Sequence, residues 1–387
     1  MKLQGLWAVI RREVGYAIHD IDILIIALLM PVFYSFFYGS LYWNKGEHDV
    51  AIVAVDMDHS TTSKTLLRQI DAHPLVQIAE AVPDLETAKE KLEGFEAQGI
   101  IFIPPSFEAS LKSGKGADLK LYLNTTRFLV SNDINKGVNE VVQTANAGIR
   151  IRYFQMHGFS FEQAKELFEP LRVDMKPMFN TSEMYGDFLI PALLVIILQQ
   201  TLLMALAETF AKERESGTLH DVFLISNKSI WGLINGKSAF YMILFGAYAF
   251  FFFTVNFAVF HIPFRGSAGA LALLTVVFLL AVTYFGIFFA SFFKRKIIVL
   301  QVLSFTSYPI FLSCGYSWPM QAMPWPLRVL AQCYPTTPFL AAFTRITQMG
   351  AGLGDVIQEM LHLFILIIIG FVLSHWRTGV VLNKEMH

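Results

Sequence analysis

Charge is scarce in this sequence. Only 16% of its 387 residues are Asp, Glu, Lys or Arg, against about a quarter in soluble domains. The charges that remain nearly cancel, giving a formal net charge of −1, so no basic field is present and nothing suggests nucleic acid as a partner. Cysteine is almost missing. Cys314 and Cys333 are too few for a disulfide framework and lack metal-ligand spacing; they could pair with each other only if both lie outside. The charged stretch from about Lys45 to Glu183 shows no catalytic Ser-His-Asp arrangement, zinc spacing or glycine-rich phosphate loop. Elsewhere the nearest approach to such a loop, Trp231 to Ser238, has three residues between Gly232 and Gly236. A phosphate loop needs four there, following a strand, so that enough backbone N–H groups wrap the phosphates. The chain is therefore expected to be no enzyme by itself and to hold no cofactor or metal.

What is abundant is apolar length. Hydrophobic residues make up 54% of the chain, with 36 Phe among them. A membrane span needs roughly 20 apolar residues. Stretches free of Asp, Glu, Lys and Arg run over Ile23 to Asn44, Phe188 to Ala207, Ser238 to Phe264, Gly266 to Phe293 and Ile297 to Leu327. A shorter one, Met360 to Trp376, carries His362 and His375. The fifth is too long for one helix and holds Pro309, Pro319, Pro324 and Pro326, which predicts a helix followed by a broken, partly re-entrant segment. The fold class expected is a polytopic α-helical membrane protein of six transmembrane helices with an inserted extracytoplasmic α/β domain. Its parts are an N-terminal interfacial helix (1–20), the first span (21–44), the α/β domain (45–185) and the remaining spans (186–387). The last part includes a cytoplasmic loop (209–237) and an outer re-entrant segment (316–350).

Orientation follows from Lys and Arg, which are retained on the cytoplasmic side. With the N-terminus inside, the short inner segments hold Lys2, Arg11, Arg12, Lys212, Arg214, Lys228, Lys237, Lys294, Arg295, Lys296, Arg377 and Lys384. The short outer loops hold only Arg265, Arg328 and Arg345. Both termini are thus expected inside and the insert outside. Arg11 and Arg12 before the first run suggest a signal anchor rather than a cleaved leader. In the N-terminal stretch, Leu3, Leu6, Trp7, Ile10, Val14 and Ile18 form an apolar stripe opposite Gln4, Arg11 and Glu13.

Within the insert, Val50 to Val55, Leu75 to Ala79, Ile100 to Ile103 and Leu119 to Leu123 read as strands. Ser60 to Asp71 and Asp84 to Glu93 read as helices between them, an alternation that suggests α/β architecture. A long helix follows, with an apolar stripe from Ile134 to Tyr153, then a capping box at Ser160 and Gln163 opening a helix to Glu169. Asp56, Asp58 and His59 sit where α/β folds often bind ligands. The plainer reading is a turn that caps the next helix.

Two further sets of residues stand out. Gln199, Gln200 and Thr201 lie mid-span, where polar groups face protein or a cavity. They are candidate pathway-lining residues, with helix–helix hydrogen bonding as the alternative. After the second apolar run comes Glu213-Arg214-Glu215-Ser216-Gly217-Thr218-Leu219, with Gly236-Lys237 closing the loop.

At these residues the chain resembles the permease subunits of ABC-2 type transporters, in the exporter-like branch with a large extracytoplasmic domain between the first two transmembrane helices. Glu213 to Leu219 looks like the family's E-(R/K)-E-x-G-T-L signature. Ser313 to Arg345, with Pro319, Pro324, Pro335 and Arg345, resembles its broken outer segment. The resemblance implies that Glu213, Arg214, Glu215, Gly217 and Thr218 couple the spans to a separate cytosolic ATPase carrying ATP and Mg. Glu213 and Glu215 are then expected to meet basic groups on that ATPase. It further implies a second permease copy or paralogue, the inner membrane of a bacterial cell as location, room for a periplasmic adaptor, and export of an amphipathic or hydrophobic substrate by alternating access. An ion-coupled secondary transporter and a membrane-anchored sensor with an outer ligand-binding domain are the alternatives.

Overall fold

The computed structural model describes residues 2–113, 116–163, 177–181 and 183–385. The chain divides into two compact units: one formed by Met1–Lys45 with Pro177–His387, the other by Gly46–Lys176. The α/β boundary thus falls at 46 and 176 rather than at 45 and 185. Lys45 belongs to the helical unit because its Nζ donates to Asp187 Oδ1 at 2.6 Å and to the His261 carbonyl at 2.7 Å.

In the helical unit, α1 (Lys2–His19) precedes six helices that, among the described residues, are long and apolar enough to cross a membrane. These are span 1 (Ile21–Leu41), span 2 (Tyr185–Glu215), span 3 (Ile230–Val259), span 4 (Ala268–Ala290), span 5 (Lys296–Ser313) and span 6 (Leu353–Lys384). Span 2 is the axis of the bundle: 89% of its apolar window is buried, against 17% for span 5. Phe278 of span 4 stacks on Phe339 at 3.9 Å between centroids, and Phe339 on Phe343, so the phenylalanine excess fills the interior as well as coating the exterior. Spans 1 and 3 each contain one π-helical turn, at Ile25–Leu29 and Phe252–Asn256.

In the α/β unit the strands are β1 (Val50–Asp56), β2 (Val76–Ala81), β3 (Gly99–Ile103) and β4 (Lys120–Leu123). Their order is β2-β1-β3-β4, with β1 parallel to β2 and β3, and β4 antiparallel to β3. The crossover helices are α2 (Thr61–Asp71) and α3 (Leu85–Glu93). A short α4 (Phe107–Lys112) and the long α5 (Phe128–Met156) complete the unit. Val50, Ile52, Ile101 and Ile103 pack on α2 and α5, while Val53, Val55 and Ile100 pack on the face of α3. A central strand buried on both sides explains why β1 reads as a continuous apolar run. Ser60 and Asp84 cap α2 and α3, accepting from the amides of Ser63 and Thr87.

The expected capping box is present: Ser160 N donates to Gln163 Oε1, and Gln163 N to Ser160 Oγ. The helix expected beyond it, to Glu169, lies outside the described residues. Asp56 fits the plainer reading of a turn tied to the next helix, whereas Asp58 caps a later one. Asp56 accepts from the amides of Asp58 and His59 and from Ser63 Oγ. Asp58 accepts from the amides of Phe107 and Glu108 at the start of α4. The Ser60 hydroxyl, followed by those two amides, holds the Asp58 carboxyl below its usual range.

After span 5 the prolines act as helix starters. Pro319 precedes a 3-10 turn, Pro324 precedes Trp325–Gln332 and Pro335 precedes Thr336–Thr347, since a ring that fixes φ and lacks an N–H suits the first turn. Arg345 Nη1 donates to Glu359 Oε1 of span 6 at 2.7 Å.

Candidate coupling site

The residues of the Glu213 signature converge with α1 and the starts of spans 3 and 5. Glu213 is fully buried. Arg12 of α1 grips it with both terminal nitrogens, Nη1 to Oε1 at 2.5 Å and Nη2 to Oε2 at 3.2 Å. Lys237 of span 3 reaches Glu213 Oε1 at 3.5 Å and Glu13 Oε2 at 2.7 Å. Thr218 Oγ1 also donates to Glu213. Two cations and two anions therefore form a closed neutral set joining three elements. Glu13 and Lys237 are themselves buried, and such charges persist inside only when paired. Tyr16, one turn along α1 from Arg12, has its phenol pushed up to about 12 by burial and then by Glu213 and Glu13.

Helix α1 can sit this close because small residues line its contact. Gly5, Val9, Glu13 and Ala17 are its buried positions. A Cβ on Gly5 would lie 2.8 Å from the Ser226 backbone, and one on Gly236 would lie 2.7 Å from Val9. One residue departs from the expected pattern: Glu13 faces the protein because Lys237 partners it, while Trp7 and Ile18 of the apolar stripe are exposed.

Arg214 and Glu215 turn to other neighbours. Arg214 Nη1 donates to the carbonyls of Ser291 and Phe293, each at 2.7 Å, capping the end of span 4. Glu215 Oε2 accepts from the Lys296 amide at 3.1 Å, capping the start of span 5. Gly217 has φ +73° and its neighbour Thr218 donates its amide to the Glu213 carbonyl, which ends span 2. Helix α6 (Leu219–Ile225) then buries Leu219 and Val222 while leaving Leu224 and Ile225, with Trp231 beyond, exposed.

The expectation that the Glu213 carboxylate meets a partner chain is therefore corrected: it is enclosed and its oxygens are taken by Arg12, Lys237 and Thr218. Only Glu215 of the pair is exposed. For the candidate pathway residues Gln199, Gln200 and Thr201, the hydrogen bonds fit the alternative of contacts within the bundle. Gln199 Oε1 accepts from Thr336, Gln200 Nε2 donates to the Leu303 carbonyl, and Thr201 Oγ1 donates to the Ile197 carbonyl. All three are buried and spent inside the bundle.

One further cluster escaped sequence reasoning. Carboxylate oxygens of Asp20, Asp22 and Glu208 lie within 4.8 Å of one another. Lys212 donates to Asp20 and Lys296 to Asp22, with Lys296 also 3.9 Å from Glu208. Lys212 and Lys296 therefore link Asp20 and Asp22 to spans 2 and 5, while the two buried Glu208 oxygens make no hydrogen bond among the described residues.

Six apolar helices, the second ending in a buried ionic joint, make the helical unit a polytopic membrane bundle. The family described as ABC-2 family transporter protein matches residues 21–376, and the chain belongs to it. It is similar to the probable multidrug ABC transporter permease YbhR of Escherichia coli (strain K12), 24% identical over 93% of this chain and 94% of that one. It is also similar to the inner membrane transport permease YhhJ of the same strain, 23% identical over 87% and 88%. The linearmycin resistance permease protein LnrN of Bacillus subtilis (strain 168) is 22% identical over 86% and 88%.

Proposed function

We propose that this ABC transporter permease exports an amphipathic or hydrophobic substrate, driven by a separate cytosolic ATPase that docks at α6. The observation that carries the reading is the enclosed Glu213 set. It ties α1, span 2 and span 3 into one body directly beside a short helix with an exposed apolar face. Force applied to Leu224, Ile225 and Trp231 by a partner reaches the spans without passing through a flexible link. A nucleotide shifts a conformational equilibrium only through differential contacts in the two states, and a rigid joint transmits such a difference. Relatives named as multidrug and linearmycin-resistance permeases support export of hydrophobic cargo. In this reading the protein has no catalytic activity alone, works as a dimer with an identical or paralogous permease, and keeps both termini inside and the α/β unit outside.

Two measurements test it. A thiol introduced at Ser216 should react in inside-out vesicles and stay protected in intact cells; labelling from the outside overturns the reading. Trp231→Ala should remove substrate-stimulated ATP hydrolysis in the reconstituted complex while the permease still folds. Unchanged stimulation places the docking face elsewhere.

A further inference from the structure

The α/β unit contains a cavity of about 720 Å³ between α2, α4, β4 and α5. This lies within the range of about 300–1,000 Å³ typical of small-molecule sites. Its floor is apolar, built from Leu66, Leu111, Leu121, Val138 and Val142. The stripe that the sequence marks along α5 explains the opening. Ile134 and Val138 are fully buried, but Val142, Ala145 and Ile149 farther along the helix are only half-buried and line the cavity. The rim is polar and mostly uncharged. Thr61, Gln69 and Asn146 line it and make no side-chain hydrogen bond within the protein among the described residues. Its two charged residues, Asp118 and Arg152, are exposed and opposite in sign.

We infer that this cavity binds an uncharged amphiphile, with its apolar body against α5 and hydroxyl or carbonyl groups toward Thr61, Gln69 and Asn146. The chemistry follows from the lining. A hydroxyl and two amides offer donors and acceptors together, which suits groups that both give and take hydrogen bonds. At the rim Asp118 and Arg152 cancel, so an ionised headgroup beside Thr61, Gln69 and Asn146 would meet no net compensating charge. The inference deepens the permease reading, on which its meaning rests, by giving the inserted unit a role in holding cargo; binding itself needs no nucleotide.

The test uses the full chain in lipid nanodiscs without any ATPase. A monoacylglycerol carrying a diazirine is photolysed in parallel with a fatty acid and an alkyltrimethylammonium of equal chain length bearing the same group, and labelled peptides are mapped. The neutral probe should label peptides from 61–71 and 128–156 about ten-fold more than either charged probe, the ratio expected where a charge enters uncompensated. Labelling of the spans by each probe provides the internal standard. Ala145→Trp, which puts an indole into the cavity, should sharply reduce labelling of the two peptides alone. The triple variant Thr61→Ala, Gln69→Ala, Asn146→Ala keeps the floor and should weaken labelling several-fold. Equal labelling by the charged probes, labelling indifferent to both variants, or no labelling of the insert overturns the inference. Since hydrolysis and transport are not read, an error about coupling leaves this result untouched, and intact export without labelling removes this inference alone.

Discussion

Replacing Lys237 with methionine separates a structural joint from a chance ion pair. The ammonium lies 2.7 Å from Glu13 and 3.5 Å from Glu213, and all three groups are enclosed. At an effective dielectric of about 20, the closer pair alone attracts by about 6 kcal/mol. Removing three ions from water offsets most of that gain, so the net stabilisation of the intact set is small. The truncated set is another matter, because Lys237→Met leaves Glu13 with no cation and Glu213 with Arg12 alone. Breaking a buried pair from one side costs about 3–5 kcal/mol, which corresponds to a fall of roughly 6–20 °C in Tm. Glu13→Leu combined with Lys237→Met removes both charges and should recover most of that loss. The measurement is thermal unfolding of the purified chain in one detergent for wild type, both single variants and the double. Reconstitution with the ATPase then asks whether the stable double variant still couples; with α1 untied from span 3, stimulation by substrate should be lost. A double variant destabilised by the sum of the singles, or a single variant with unchanged Tm, refutes the argument.

Other outcomes follow from the same geometry. Arg214→Ala leaves the carbonyls of Ser291 and Phe293 uncapped; a loss of about 1.5–3 kcal/mol is expected for charged hydrogen bonds, read in the same unfolding assay. Gln199→Leu and Gln200→Leu should each cost about 0.6–2 kcal/mol as lost helix–helix contacts and leave the order of substrate preference in transport assays unchanged; a reordered preference restores them to the pathway. Asp58 has its carboxyl held low by Ser60 and the α4 amides, so its contribution is present above the ordinary carboxylate range and is lost as pH falls through its lower folded value. Hydrogen exchange at Phe107–Lys112 should rise over that acid range in the wild type, whereas Asp58→Asn should be exchange-prone at every pH. Because Leu224, Ile225 and Trp231 are exposed and apolar, the complex with the ATPase should weaken less than about three-fold between low and physiological salt, a range in which charge-steered contacts are strongly screened. Trp231→Ala should weaken it by ten-fold or more, as large aromatic anchors do.

The sequence made the α/β unit legible nearly to the residue, because alternation of short apolar runs with capped helices is local information. Strand β1 was expected at Val50 to Val55 and spans Val50–Asp56. Helix α4 escaped because Pro104 and Pro105 read only as a terminator; the chain turns at Ser106, φ +63°, and a new helix starts at once. The six spans were legible by length. What periodicity could not convey was the direction of polar groups inside them. A charge on an amphipathic helix is ordinarily placed outward, so Glu13 was assigned to solvent, yet its partner Lys237 is 224 residues away. The usable signal was the series Gly5, Val9, Glu13, Ala17, four residues apart with small residues at both ends, which marks a close-packed face whatever the charge within it. Gln199 and Gln200 left two readings open for the same reason: hydropathy says that a polar residue in a span needs a partner, not whether that partner is cargo or a neighbouring helix.

Three consecutive residues serve different neighbours because a helix turns about 100° per residue. Glu213 points to α1 and span 3, Arg214 to the end of span 4, and Glu215 to the start of span 5. Charge is used here for holding rather than for recognition. The Arg12, Glu13, Glu213 and Lys237 set is neutral, so moving it as a body against the rest of the bundle exposes no uncompensated ion. Pulling any one member away from the others does. Such a set resists being taken apart and tolerates being displaced, which is the mechanical behaviour a lever needs at its pivot. An acidic pair reaching out to a partner's basic groups would behave in the opposite way, yielding at the contact and transmitting little. In the proposed coupling, the placement of Glu213 inside, with the apolar side chains of α6 outside, would separate the two tasks: α6 would receive the push, and the buried ions would make α1 and spans 2 and 3 receive it together.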